Sequence, residues 1–509
     1  MSNGCVILIL SIVSDPGGQS SAHPCLDAIS RKGDFDFVKR SIFVSLSSLL
    51  LALVLAGCAA APKISQPTLD ELMVEVNAQH QSIQQNPIDR WHFIKGTPDE
   101  AILEPYRIGE EGFKAFDQDA VITADQAAQD VEYLFGAFAA LYGPYDYLGG
   151  ADVFNAHKAE ILAQCAQRES WTAQEFQDLL LDGLAFLPDA HFNINGHRTN
   201  LFQVPFFFRE TAFYKTDTGY QTAEGKTVES VDNHPELEEL FKRSISPEGE
   251  IVYYPILLEP RELNDQPQTC SETLTVQYTD GSSETLTAEP FQLYGWENSV
   301  SYASGLRGDE RIVLTELRET EGIPVFEFDA CQTSYTEEIV AGAAAIKDAP
   351  IAMLDLRTNG GGNSAVVDRW VAEYCGQTLP GNMTQYSFNV FYGPNNSPSK
   401  WVEHENILVV LTGKYSASSA ESLVDKIQDL ENVLLIGENT GGYFLTSASN
   451  KLQLPNSLVS IVMGDGLTIP AYEGEGYYFK EFEGFYPDLW VPAAEAEELA
   501  AKLIQRLSQ

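Results

Sequence analysis

Basic residues are scarce in this 509-residue chain: 31 Lys and Arg stand against 73 Asp and Glu, a formal net charge of −42. A surface of that sign repels phosphate backbones, which excludes nucleic acid as a partner. It suits a soluble protein in a salty or extracytoplasmic setting and does not bear on the fold. Histidine is also scarce, eight in all, so few imidazoles are on hand for base chemistry. The seven cysteines form no CxxC or Cys/His spacing, which argues against zinc; neither a metal nor another cofactor is implied. Internal repeats and low-complexity tracts are lacking. A hydrophobic fraction of 44% with 11% aromatics excludes disorder. The length exceeds one ordinary core, so two or three domains are expected.

One apolar stretch has the flanks of a targeting segment. Lys39-Arg40 precede an apolar stretch from Ile42 to Val54 that ends in Leu55-Ala56-Gly57-Cys58. A charged region, an apolar core and small residues at a cleavage site make a secretory signal, and the stretch is short for a spanning helix. Its ending resembles the lipobox of bacterial lipoproteins. That resemblance implies cleavage before Cys58, lipid on its sulfur, and residence on the periplasmic side of a bacterial membrane, with the outer membrane expected. Residues 1–37 have no place in such a signal, so synthesis is expected to begin near Val38. Cys5 and Cys25 then fall outside the protein, leaving Cys165, Cys270, Cys331 and Cys375. An exported compartment permits disulfides, Cys270–Cys331 among them, but spacing alone does not choose a pairing.

The remaining chain reads as a succession of segments. Residues 1–57 are the signal region and 58–67 a small-residue, Pro-bearing lipidated tether. Residues 68–199 read as a helical domain. Leu69, Leu72, Met73 and Val76 recur at helix spacing behind Thr68, with Glu71 three residues on, a capping-box signature. Further helices are expected over 124–142, 151–168 and 172–187, the last opened by Thr172 and Glu175 in the same way. Residues 200–305 are a β-rich insert with a hairpin signal at Thr279-Asp280-Gly281 and a short helix over 235–243. It could be of the PDZ type, although no convincing carboxylate-binding loop is seen. Residues 306–495 alternate strands (312–317, 324–328, 350–355, 407–411, 432–436) with helices (334–347, 363–375, 418–430). That alternation predicts an α/β core with largely parallel pairing. Residues 496–509 belong to a C-terminal helix.

Two strand-to-helix turns in this core carry chemistry. One is Asp355-Leu356-Arg357-Thr358-Asn359-Gly360-Gly361-Gly362, after the apolar run that starts at Ile351. The other is Ser416-Ala417-Ser418-Ser419-Ala420-Glu421, after Ile407–Leu411. The first can offer backbone N–H groups to an anion and the second a hydroxyl at a helix start. Together they have the parts of an acyl-transfer site. With Gly437-Glu438-Asn439-Thr440-Gly441-Gly442 and the terminal Gly484-Phe485-Tyr486-Pro487-Asp488, they resemble the S41 peptidases, the tail-specific or C-terminal-processing family. The resemblance covers about 310–495 and implies a crotonase-like core of the ClpP/crotonase type.

It also implies roles. The nucleophile position, three residues before Glu421, is Ser418. Ser416 and Ser419 compete, since small hydroxyls commonly cap helices. The oxyanion hole is expected from the N–H of Ser419 with that of Gly361 or Gly362. Asp355 and Arg357 are expected to hold the turn, and Glu421 and Asp429 to support the serine helix. Many bacterial members carry a lysine base where this chain has Tyr443, a poor base at neutral pH, so a Ser–Lys dyad is not expected. The tricorn-like and chlamydial-protease-like branch uses histidine with glutamate. His191, in Asp189-Ala190-His191-Phe192, resembles that branch's element, with His197 second and His404 a distant third. The orienting acid matches Glu481, with Glu483 as alternative. Tyr443 is expected as a nearby hydrogen-bond donor or the wall of a substrate pocket.

The expected function is a lipid-anchored serine endopeptidase that cuts polypeptide through an acyl-enzyme on Ser418. Its partners are a polypeptide substrate and the membrane, through Cys58. A second reading is a peptide- or ligand-binding lipoprotein that keeps the fold without the chemistry; a third is a hydrolase of small esters or amides.

Overall fold

Strands alternating with amphipathic segments from Thr315 onward build one sheet, described in a computed structural model. It describes residues 65–82 and 112–509, except for 263–266, 269, 271–272, 293–313, 380, 382, 388–389, 393–400, 448–449, 471 and 474–478, together with Asn86, Pro87 and Tyr106. The chain forms two units, Met1–Ala61 and Pro62–Gln509, and only the second is described. The signal region, Cys58 and the tether to residue 64 lie outside the described residues. No described helix is long and apolar enough to cross a membrane.

Thr315–Thr320 runs antiparallel to Ile323–Phe328. Ile351–Asp355, Ile407–Thr412, Val433–Gly437 and Leu489–Trp490 follow in that order, all parallel. Fold class is therefore mixed α/β, with a ββα succession at Thr315–Ile346. Period-two alternation splits each strand between two cores. Ala352, Leu354, Leu408, Val410 and Leu435 face the helices Thr336–Ile346, Ser364–Cys375 and Ser419–Ile427, around a fully buried Trp370. Met353, Val409, Leu411, Leu434 and Ile436 face the C-terminal helix Ala496–Leu507 and the first helix, Leu69–Gln81. Burial on both faces explains why these strands are almost wholly apolar.

The capping boxes expected at Thr68/Glu71 and Thr172/Glu175 both form. The first helix is fastened by His80, whose Nε2 lies 2.9 Å from Asp488 Oδ1. Burial opposes the charged imidazole, but Asp488 and Asp429 raise its pKa above the ordinary histidine value. Helices Ala124–Leu141, Gly150–Cys165 and Ala173–Gly183 enclose Phe138, Phe154 and Phe192. That core is closed by a hairpin from the other end of the chain, Asn450–Gln453 with Ser460–Met463. The second hairpin strand pairs with Asn193–Ile194, which clamps the backbone just after His191.

The insert joins the main sheet. Trp490 pairs with Ser244 in Phe241–Ile245, which is antiparallel to Ile251–Arg261, itself paired with Phe202–Phe207. The helix expected over 235–243 is only the single turn Leu237–Leu240; from Phe241 the chain is strand, because pairing with both neighbours outweighs local helix preference. The Asp280-Gly281 turn does join two strands, Thr273–Tyr278 and Ser283–Thr287. Cys165, Cys270, Cys331 and Cys375 are all free thiols, so Cys270 and Cys331 form no bridge: Cys270 Sγ contacts Glu259 and Cys331 Sγ contacts Asn359.

A buried ion cluster stands where the strand Ile351–Asp355 ends. Arg357 Nη2 lies 2.6 Å from Asp355 and 3.0 Å from Glu497 of the C-terminal helix, and its Nη1 donates to the Ala493 carbonyl. Arg318 adds a second guanidinium 2.7 Å from Asp355. Burial alone would raise Asp355, but Arg357 and Arg318 hold its carboxyl down at about 2. Stability from this carboxylate is thus present above its unfolded value of about 3.9 and lost as pH falls toward 2. Arg357→Met should cost about 3 kcal/mol in urea unfolding at pH 7, and that loss should shrink as pH is lowered through 3.9. An unchanged midpoint at pH 7 would show that the cluster is not stabilising.

Candidate active site

Ser418 precedes the helix Ser419–Ile427 with φ 55° and ψ −115°, a conformation that L residues rarely hold without support. The support is Glu421. Its carboxylate accepts the N–H of Ser418 (2.9 Å), Gly442 (2.7 Å) and Tyr443 (2.8 Å), and the Thr440 hydroxyl (2.6 Å). Burial raises its pKa while those four donors oppose the rise. The serine turn is therefore tied to the 440–443 loop through one buried carboxylate.

The other two serines are engaged in structure. Ser416 Oγ donates to the Leu356 carbonyl and accepts from Gly413 N–H. Ser419 Oγ donates to the Gly362 carbonyl. Ser418 Oγ instead lies 3.2 Å from His191 Nε2. His191 arrives from the far side of the sequence because Asp189 accepts the N–H of both His191 and Phe192. The Asn193–Ile194 strand then locks the exit. Burial, and after it the charge of Arg198, hold the imidazole down at about 3, so it is a neutral acceptor at physiological pH.

Behind the imidazole stand two carboxylates. Asp189, His191 and Glu481 each bring an atom within 4.8 Å of the others. Glu481 accepts N–H bonds from Ala190, Phe444 and Leu445. Asp189 also accepts the hydroxyls of Tyr142 and Thr446. All four oxygens already accept protein hydrogens, which makes the trio a hydrogen-bonded acid pair rather than a cation cage. Burial, then repulsion from Asp189, push Glu481 well above the usual carboxylate range, and burial raises Asp189 too. His191 Nδ1 is buried, and no described residue hydrogen-bonds to it. Glu483 is elsewhere: its carboxylate meets the Tyr486 hydroxyl and Lys480.

The glycine turn presses against the serine. A Cβ on Gly361 (φ 92°) would come within 2.7 Å of Ser418 Cβ, and one on Gly362 (φ 137°) within 2.6 Å of the Cys331 carbonyl. Gly361 N–H is taken by Asn359 Oδ1 at 2.9 Å. Among the described residues, no hydrogen bond takes the N–H of Ser419 or Gly362. Those two donors remain available to an anion.

Tyr443 packs as a wall. Its ring meets His191 edge-on at 5.6 Å and stacks on Phe202 at 4.9 Å, and burial pushes its phenol above 10. Among the described residues, His197 makes only a backbone bridge to Ile194. His404 Nδ1 sits 2.8 Å from the Asn406 carbonyl. Asp429 adds negative charge beside His80.

Sequence reasoning assigned no role to Asp189, Asn359, Lys414 or Arg198. Lys414 is buried beneath the turn, its Nζ donating to the Thr440 and Glu483 carbonyls at 2.9 and 3.3 Å. Burial brings it down to about 7 against the pull of Glu421 and Glu438. Asp189, two residues before His191, could have been flagged by proximity; Lys414 and Arg198 carry no local signal.

The sequence pattern of peptidase family S41 matches residues 323–488, which include Ser418, Glu421, Gly361, Gly362 and Glu481 but not His191. This segment is a peptidase S41 domain. No curated protein matches the chain. Among solved structures, a peptidase from Parabacteroides merdae is 16% identical, covering 73% of this chain and 90% of its own, with a TM-score of 0.37. Mature CPAF complexed with lactacystin is 12% identical (76% and 99% covered, TM-score 0.38). The photosystem II D1 C-terminal processing protease is 12% identical (75% and 97%, TM-score 0.35).

Gly361→Ala combines a left-handed backbone with a clash on the serine turn. It should lower stability by about 2 kcal/mol in denaturant titration. Gly376→Ala, at φ 73° with open space around it, should cost about 1 kcal/mol. Equal losses at the two sites would show that the serine contact is not tight.

Proposed function

We propose that this S41 domain is a working serine endopeptidase of the histidine-using kind, with Ser418 as nucleophile and His191 as general base. The observation that carries the reading is the 3.2 Å approach of His191 Nε2 to Ser418 Oγ. In the proposed reaction Ser418 Oγ attacks the peptide carbonyl carbon while its proton passes to Nε2. The oxyanion is received by the N–H of Ser419 and Gly362, for which no acceptor is found among the described residues. The intermediate collapses when His191 returns the proton to the leaving amine. Water, deprotonated by the same imidazole, then releases the acyl group. Of the coupled Glu481 and Asp189 carboxyls, both within 4.8 Å of the imidazole, the one that stays ionised supplies negative charge for the imidazolium that forms between steps. Tyr443 shields the ring and is not a base.

Lipidation at Cys58 and export to the periplasmic face of the outer membrane belong to the same proposal, on the strength of Leu55-Ala56-Gly57-Cys58. Labelled palmitate should enter the protein in cells and fail to enter Cys58→Ala.

A second reading, a binding protein without turnover, is favoured by one observation: among the described residues His191 Nδ1 has no hydrogen-bond partner that would orient it. A fluorophosphonate probe separates the two. Peptidase chemistry requires labelling that Ser418→Ala abolishes, with His191→Ala lowering kcat on unfolded polypeptide about 10²–10⁴-fold and Glu481→Gln lowering it less. A folded wild-type protein that takes no label would end the peptidase reading and leave the binder.

A further inference from the structure

Arg198 is the unusual charge of this molecule. Every other described arginine pairs with a carboxylate within 4.0 Å. Arg198 has no such partner among the described residues, in a chain with more than twice as many acids as bases. Its position is not loose. Nη1 donates to the Gly196 carbonyl at 3.1 Å. The guanidinium carbon lies 5.9 Å from the centroid of Tyr443, the ring that borders His191 at 5.6 Å. Nε is buried and has no hydrogen-bond acceptor among the described residues, although the guanidinium also acts on the Tyr443 hydroxyl and opposes the rise of its pKa.

Such an arrangement works against the unliganded site. A buried N–H without an acceptor is destabilising and is kept in few places without a reason. A cation beside the general base also opposes formation of the imidazolium. Both penalties vanish when an anion meets the guanidinium, and the planar fork of arginine fits a carboxylate in bidentate fashion. The acidic surface of the chain would otherwise repel negatively charged peptides, so selection for one has to be built locally.

We propose that Arg198 is the specificity residue of this site and receives a carboxylate of the polypeptide substrate, either an acidic side chain near the cleaved bond or the free C-terminus. The proposal rests on the reading of Ser418 and His191 as the reacting pair. In this scheme the substrate brings the charge that Arg198 lacks and thereby relieves the base of a neighbouring cation.

The test uses matched fluorogenic peptides and the full chain. One set differs only in Glu against Gln at each position flanking the cleaved bond; the other differs only in a free or amidated C-terminus. Wild-type protein should prefer one carboxylate-bearing peptide by about tenfold or more in kcat/KM, and the set in which this appears tells side chain from C-terminus. The preference should be lost in Arg198→Gln, partly kept in Arg198→Lys, and turned toward Lys-bearing peptides in Arg198→Glu. A wild-type enzyme indifferent to the carboxylate, or a preference unchanged in Arg198→Gln, overturns the assignment. Fluorophosphonate labelling of the wild type is read in parallel. Its absence refutes the Ser418 reading, and the Arg198 proposal with it, whereas labelling without carboxylate preference refutes Arg198 alone.

Discussion

The Glu421 carboxylate is the tie on which the site geometry depends. It gathers three backbone N–H groups and one hydroxyl from two loops. One of those N–H groups belongs to Ser418, whose left-handed backbone would otherwise relax. The others belong to the 440–443 loop, and the next two residues, Phe444 and Leu445, donate to Glu481. The serine, the wall tyrosine and the acid behind the imidazole are thus set by one buried acceptor acting through short connections.

Elsewhere the same economy of buried charge recurs with different neighbours. Glu421, Glu481 and Asp189 are satisfied almost entirely by neutral donors, so burial dominates and their pKa values rise. Asp355 is equally buried but faces two guanidiniums, so its pKa falls. The distinction matters for the two ends of the chain. The Asp355 cluster binds the C-terminal helix to the sheet by full charges, whereas the carboxylates of the site are held chiefly by neutral backbone and hydroxyl donors. Lys414 reaches the carbonyls of the 440 and 483 loops from below.

How much could be read beforehand follows the range of the forces involved. The helix starts at Thr68 and Thr172 were legible because a capping box spans four residues. The parallel strands were legible because burial on both faces leaves an unbroken apolar run. The strand Phe241–Ile245 was not, since its identity comes from pairing with Ile251–Arg261 and with Trp490. The glycine turn was visible as Gly360-Gly361-Gly362, but Gly361 N–H being taken by Asn359 was not, because that depends on where one side chain points. Nor does anything near Arg198 say that it lacks an acid.

By itself the chain's sequence determined the α/β class, the two glycine- and serine-bearing turns and the candidate residues, because periodicity, capping and turn chemistry act over a few residues at a time. The tertiary structure alone decided which of those candidates meet. His191 and Ser418 are 227 residues apart, and their approach depends on a hairpin at 450–463 closing over the strand that follows the histidine. That closure is driven by burial of apolar surface from both ends of the chain, a long-range effect that no local pattern records.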